Sequence, residues 1–98
     1  MTSDEALPIA ESIAAGHAFD KHVVEGKEFA GISVRTQFQD MILEILTNHD
    51  EERTLERGRR AFWSEKHSAI VIVDPTGDSN GTAFRPHNAR EYFRSGLQ

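Results

Sequence analysis

Cysteine is absent from the 98 residues, which removes disulfides, thiolate metal sites and a cysteine nucleophile. Basic residues are scarce too. Eleven Lys and Arg face 16 Asp and Glu, and a net charge of -5 argues against a general polyanion binder. No apolar run approaches the ~20 residues of a membrane span, and the mean hydropathy is -0.51. Asp4 and Glu5 stand where a secretory signal carries bases. Export is therefore expected to rely on a larger parent protein or a separate machine. No internal repeat and no low-complexity stretch is present. With 38% hydrophobic residues, the chain is expected to form one domain over 1–98, a helical lead-in at 1–15 and a core at 16–97.

What charge there is lies unevenly. Residues 1–52 carry 11 acids against 3 bases, and residues 53–98 carry 5 acids against 8 bases. Arg53, Arg57, Arg59, Arg60, Lys66, Arg85, Arg90 and Arg94 supply the positive half. Gathered on one face, they would meet phosphates; dispersed, they are an ordinary solvated surface.

The hydrophobic pattern divides the chain into helices followed by strands. Ser3 or Asp4 is expected to cap a first helix, in which Pro8 is tolerable only in the opening turn. Ile9 and Ile13 share a face that, continued by fours, reaches His17 and Lys21, with Gly16 a point of weakness between them. Phe19 and Val23 form a second apolar row, and Phe29 is expected to tuck inward from a loop between Gly26 and Gly31. Val34, Phe38, Met41, Ile42, Ile45 and Leu46 then trace the stripe of a core-facing helix, with Thr36 and Gln39 or Ser33 at its cap and His49 at its end. After residue 52 the period shifts toward two. Strands are expected at 53–56, 59–64, 69–73 and 82–86, with a turn near Gly58 and a loop across Asp74 to Gly81 that includes Asp78. The β-branched run Ala69-Ile70-Val71-Ile72-Val73 suits a central strand, and Pro86 an edge. A short helix over 90–97 should lay Tyr92 and Phe93 back on the sheet. The fold class is α+β: N-terminal helices packed on an antiparallel sheet of about four strands.

Chemistry concentrates in Gly16-His17-Ala18-Phe19-Asp20-Lys21-His22-Val23. On a helix, His17 and Lys21 project from one face, and His22 lies about 100° round from Lys21. An imidazole, which titrates near neutrality, beside a fixed cation suits metal-free phosphodiester chemistry; an amphipathic helix with a His-rich polar side is the plainer alternative. No metal site and no cofactor is expected, because His17 and His22 are five apart, the wrong spacing for two ligands on one helix face. Ser12, Ser64 and Ser68 lack a nucleophile-elbow context, and no phosphate-cradling glycine pattern occurs. His67 and His87 read as surface residues, and Trp63 as a core or sheet-face residue.

Three stretches resemble the colicin D-type ribonuclease toxins of the barnase–EndoU–colicin–RelE group. Lys21-His22 followed by Glu28-Phe29-Ala30-Gly31-Ile32 is similar to that family's Lys-His motif and acidic-Phe-Gly turn. Arg35 through Leu46 resembles the helix that follows, and the strands through Trp63, Ile70–Pro75 and Gly81-Thr82-Ala83-Phe84-Arg85 resemble the closing strands. The resemblance covers roughly residues 16–86, and each motif in it is short. Two departures stand out: Phe19 falls where the family has a second lysine, and Phe84 where it usually has Trp.

The resemblance implies metal-independent cleavage of RNA, typically tRNA, by the ribose 2′-hydroxyl. It puts His22 in the place of the principal acid/base group, with Lys21 beside it and Thr82 as the hydroxyl. His17 or an arginine would stand in for the missing lysine. Phe84 would stack on a base, and Arg85, or Arg57, Arg59 or Arg60, would contact phosphate. The implied setting is a monomeric toxin module of a secreted parent, neutralised by a cognate immunity protein and acting in the cytoplasm of a target bacterium. A non-catalytic acidic binding module, of the immunity or antitoxin kind, is the alternative that the net charge of -5 favours.

Overall fold

The computed structural model describes residues 1–77 and 79–97. Asp78, part of the loop expected after the third strand, lies outside the described residues. Helix α1 (Ser3–Ala15) begins at Thr2 rather than Ser3 or Asp4. The Thr2 hydroxyl accepts the Glu5 N–H at 3.2 Å, and the Glu5 carboxylate accepts the Thr2 N–H at 3.3 Å, a reciprocal cap. Pro8 lies past the opening turn, yet the helix runs through it. Burial of Ala6, Ala10, Ile13 and Ala14 along one face offsets the backbone bond that proline cannot make. The three alanines are small enough to let α1 lie close against α2.

Helix α2 (Arg35–Thr47) buries Phe38, Met41, Ile42, Ile45 and Leu46, the stripe expected for it. Val34 is the exception: it precedes the helix and is half exposed. The cap is neither Thr36 nor Gln39. The Gln37 side-chain oxygen accepts the Ser33 N–H at 2.8 Å and the Val34 N–H at 3.2 Å. At the far end His49 Nδ1 sits 3.3 Å from the Leu46 carbonyl, so this histidine serves a helix terminus.

Strands β1 (Glu51–Thr54), β2 (Arg60–Ser64), β3 (Ala69–Val73) and β4 (Gly81–Phe84) form an antiparallel meander in the order β1-β2-β3-β4. The β1–β2 turn takes positive φ at Arg57 and Gly58, which moves β1 two residues earlier than the expected 53–56. Period-two alternation sorts the sheet into two apolar faces. Phe62, Ala69, Val71, Val73 and Ala83 meet the N-terminal helices. Ala61, Trp63, Ile70 and Ile72 point the other way, against Ala89, Phe93 and Phe84. That second face is covered by α3 (Ala89–Glu91) and the π-helical stretch Tyr92–Gly96 that continues it. The architecture is α+β with helices N-terminal to a four-stranded antiparallel sheet, every residue of β3 being buried between the two layers. Arg53 helps fasten the C-terminal layer by donating to the Phe93 carbonyl at 2.6 Å. No helix of the described residues is long and apolar enough to cross a membrane.

Candidate functional site

The stretch bearing the histidines does not continue α1. Gly16 adopts an extended conformation at the helix end, which resets the helical phase, so Ile9 and Ile13 face the core while His17 and Lys21 do not follow them. Arg35 locks the break. Its guanidinium donates to the carbonyls of Ala14 (2.7 Å) and Gly16 (3.3 Å), pairs with Asp20 (3.3 Å) and stands over the Phe19 ring at 4.6 Å. Residues Phe19–Glu25 are wound as a π-helix, ending where the Gly26 N–H bonds to the Lys21 carbonyl at 2.9 Å. Phe19 and Val23 are buried and anchor the segment. The wider winding presents Lys21 and His22 to one groove, which His17, just ahead of it, also lines.

That groove, about 800 Å³, lies beside the edge strand β4, between the π-helical segment and the C-terminal layer. His17, Lys21 and His22 line one wall; Ile72, Thr82 and Phe84 line the floor; Tyr92, Gly96 and Leu97 close the far side. Thr82 and Phe84 are two apart in β4 and share a face, whereas Ala83 joins the main core. The His22 and Phe84 rings lie 5.7 Å apart at 32°, and Phe84 meets Tyr92 edge-on at 5.7 Å. His22 is mostly covered, its side chain 14% exposed.

His22 Nδ1 lies 2.6 Å from Glu28 Oε2. A carboxylate only accepts, so Nδ1 carries the hydrogen and Nε2 is the ring nitrogen left for other partners. Glu28 is a site residue that the sequence marked only as part of a motif; its contact with His22 crosses a turn and has no helical spacing to reveal it. Tyr92 is the other. It was expected to pack on the sheet with Phe93, but Phe93 is buried at 1% exposure while Tyr92 is 36% exposed in the groove wall.

The arginines divide. Arg59 lines the groove, with Asp74 in the same wall. Arg57 is exposed in the β1–β2 turn, and Arg60 pairs with Glu52 at 2.8 Å over the Phe62 ring, so neither borders the groove. Arg85, expected to contact phosphate, is turned inward. Its guanidinium donates to the carbonyls of His67 (2.6 and 3.0 Å) and Glu28 (3.0 Å) and covers the Phe29 ring at 4.7 Å. The positive half of the chain is largely neutralised as well: Lys66 pairs with Glu44, Arg90 with Glu65 and Arg94 with Glu51. These pairs hold the carboxyls of Glu44, Glu52 and Glu65 below the usual range, with the hydrogen bonds from Lys66, Arg60 and Arg90 as the leading causes. Asp74 is lowered by the hydroxyl and then the backbone N–H of Thr76. In place of a continuous basic face, the groove is bordered by Lys21 and Arg59, with His17 and the carboxylate of Asp74 in the same lining.

His67, read as a surface residue, has a mostly covered side chain and lends its carbonyl to Arg85. Trp63 is buried in the second core, as expected. Among the described residues, no three histidine or carboxylate side chains converge as a cation site. No protein-family model matches the chain, and no curated protein matches it significantly.

Proposed function

We propose that this domain is a metal-independent endoribonuclease of the toxin type, cleaving RNA, with tRNA its substrate, by attack of the ribose 2′-hydroxyl. The observation that carries this reading is a histidine with one nitrogen engaged by a carboxylate, set against an aromatic strand residue in an open groove that also bears Lys21, His17 and Thr82. His22 Nε2 takes the proton from the 2′-hydroxyl. The O2′–P bond forms, the P–O5′ bond breaks, and the departing O5′ takes a proton from His17 or Lys21. The products are a 2′,3′-cyclic phosphate and a 5′-hydroxyl. Proton transfer by a positioned group contributes roughly 10²–10⁴-fold. Lys21 and Arg59 offset charge on the non-bridging oxygens, and the Thr82 hydroxyl donates to one of them. Unpaired bases lie along the wall made by Phe84 and Tyr92.

In this reading the domain acts as a monomer, is carried by a larger exported protein into a target bacterium's cytoplasm, and is neutralised by an immunity protein. The net charge of -5 favours one rival, an acidic protein-binding module without catalytic activity. Incubating total bacterial RNA with wild type and His22→Ala, followed by sizing and end analysis, separates the two. Cyclic-phosphate fragments lost in His22→Ala support the enzyme. Fragments bearing 5′-phosphates, or activity abolished by a chelator, overturn the mechanism, and intact RNA favours the binding module.

A further inference from the structure

We propose that Glu28 is the positioning residue of the site, held by Arg85 so that its carboxylate keeps His22 in the Nδ1–H tautomer. The inference rests on the ribonuclease reading for its catalytic consequence and on geometry alone for the tautomer.

Both carboxylate oxygens of Glu28 are engaged. Oε2 meets His22 Nδ1 at 2.6 Å, and Oε1 accepts the Arg85 backbone N–H at 2.8 Å. The Glu28 main chain is fixed too: its N–H donates to the His22 carbonyl at 2.9 Å, and its carbonyl accepts Arg85 Nη1 at 3.0 Å. The rest of the Arg85 fork is anchored on the His67 carbonyl, in the β2–β3 turn. Two segments, at His22 and at Arg85, thus hold one carboxylate, and each of its oxygens is engaged by a donor. With side chains 14% and 24% exposed, His22 and Glu28 interact where water screens little.

The two partners of the carboxylate are both donors, and this explains the residue type. A glutamine has one acceptor oxygen and would turn its amide hydrogens toward one of those donors. Glu28→Gln is therefore nearly isosteric, yet it cannot accept from both: with its oxygen on the Arg85 N–H, its amide N–H faces Nδ1 and favours the Nε2–H tautomer. Aspartate is one methylene shorter and cannot span both.

The experiment is long-range ¹H–¹⁵N NMR of the imidazoles in wild type, Glu28→Gln and Glu28→Ala, recorded across a pH series that extends into the alkaline range. Steady-state RNA cleavage and urea unfolding accompany it. The wild type is expected to show His22 protonated at Nδ1 and bare at Nε2. Both variants should shift the population toward Nε2–H and lower kcat by about 10²-fold with KM within about twofold. A wild-type His22 protonated at Nε2 overturns the proposal, and so does unchanged kcat in folded Glu28→Gln. If wild type cuts no RNA, the ribonuclease reading fails, while the tautomer spectrum still decides what Glu28 does.

Discussion

The imidazole of His22 lies 5.7 Å from the ring of Phe84, joining the N-terminal helical half of the chain to its last strand. Neither residue reaches the other unless the π-helical segment packs beside β4, so this contact reports whether the groove is assembled. Phe84→Ala removes the surface that the imidazole leans on. Under the proposed ribonuclease function, the expected result is a fall of at least tenfold in RNA cleavage, with the native circular dichroism spectrum retained and looser His22 ring NMR signals.

Tyr92 meets Phe84 edge-on and is 36% exposed, so its ring is available to a nucleobase. Stacking on an aromatic is worth about 1–3 kcal/mol per base. If the proposed function holds, Tyr92→Ala should weaken binding of a short single-stranded RNA between about fivefold and about 150-fold, with little change in melting temperature. Fluorescence anisotropy with a labelled oligonucleotide measures it. Unchanged affinity removes Tyr92 from the binding surface.

Gly81 opens β4 with φ of +136°, and a Cβ there would stand 1.8 Å from the Ile72 carbonyl oxygen. The register pairs Val73 with Gly81 and Ile72 with Thr82, so the clash falls on the ladder that places Thr82 and Phe84. Gly81→Ala is expected to lower stability by at least ~2 kcal/mol. Urea unfolding measures the loss, and a variant as stable as wild type contradicts the geometry.

Glu44, Glu52, Glu65 and Asp74 all have folded-state pKa values below their ordinary ones. The sign follows. As pH falls, the unfolded chain takes up these protons first, so stability is full above the ordinary carboxylate range and declines through the folded values. Melting temperature should rise between about pH 3 and 5 and then level off. For Glu52 the chief cause is the hydrogen bond from Arg60, then the Coulombic pull of Arg60, against desolvation. Glu52→Gln should flatten part of the slope, by under ~1 kcal/mol for so exposed a pair. A slope identical to wild type would show that the pair contributes nothing.

The α2 stripe and the Ala69–Val73 strand were legible because burial imposes a period on the sequence: 3.6 for one, and continuous apolar residues for a strand covered on both faces. Thr82 and Phe84 share a face for the same reason of alternation. The inward turn of Arg85 was not legible, because a charged residue beside a site motif reads the same whether it faces solvent or two carbonyls. The winding of residues 19–25 was also hidden, since nothing in His17-to-Val23 distinguishes an i→i+5 bond from an i→i+4 one.

The sequence by itself determined the α+β class and the helix-then-strand order, because periodicity is a local property, and its residue chemistry singled out His17, Lys21, His22, Thr82 and Phe84 as candidates. Only the tertiary structure decided that Glu28 grips His22, that Arg85 braces Glu28 from 57 residues away, and that Tyr92 rather than Phe93 faces the groove. Those are contacts between segments that meet only once the sheet and its two covering layers have closed, and no spacing along a chain encodes a distance across a fold.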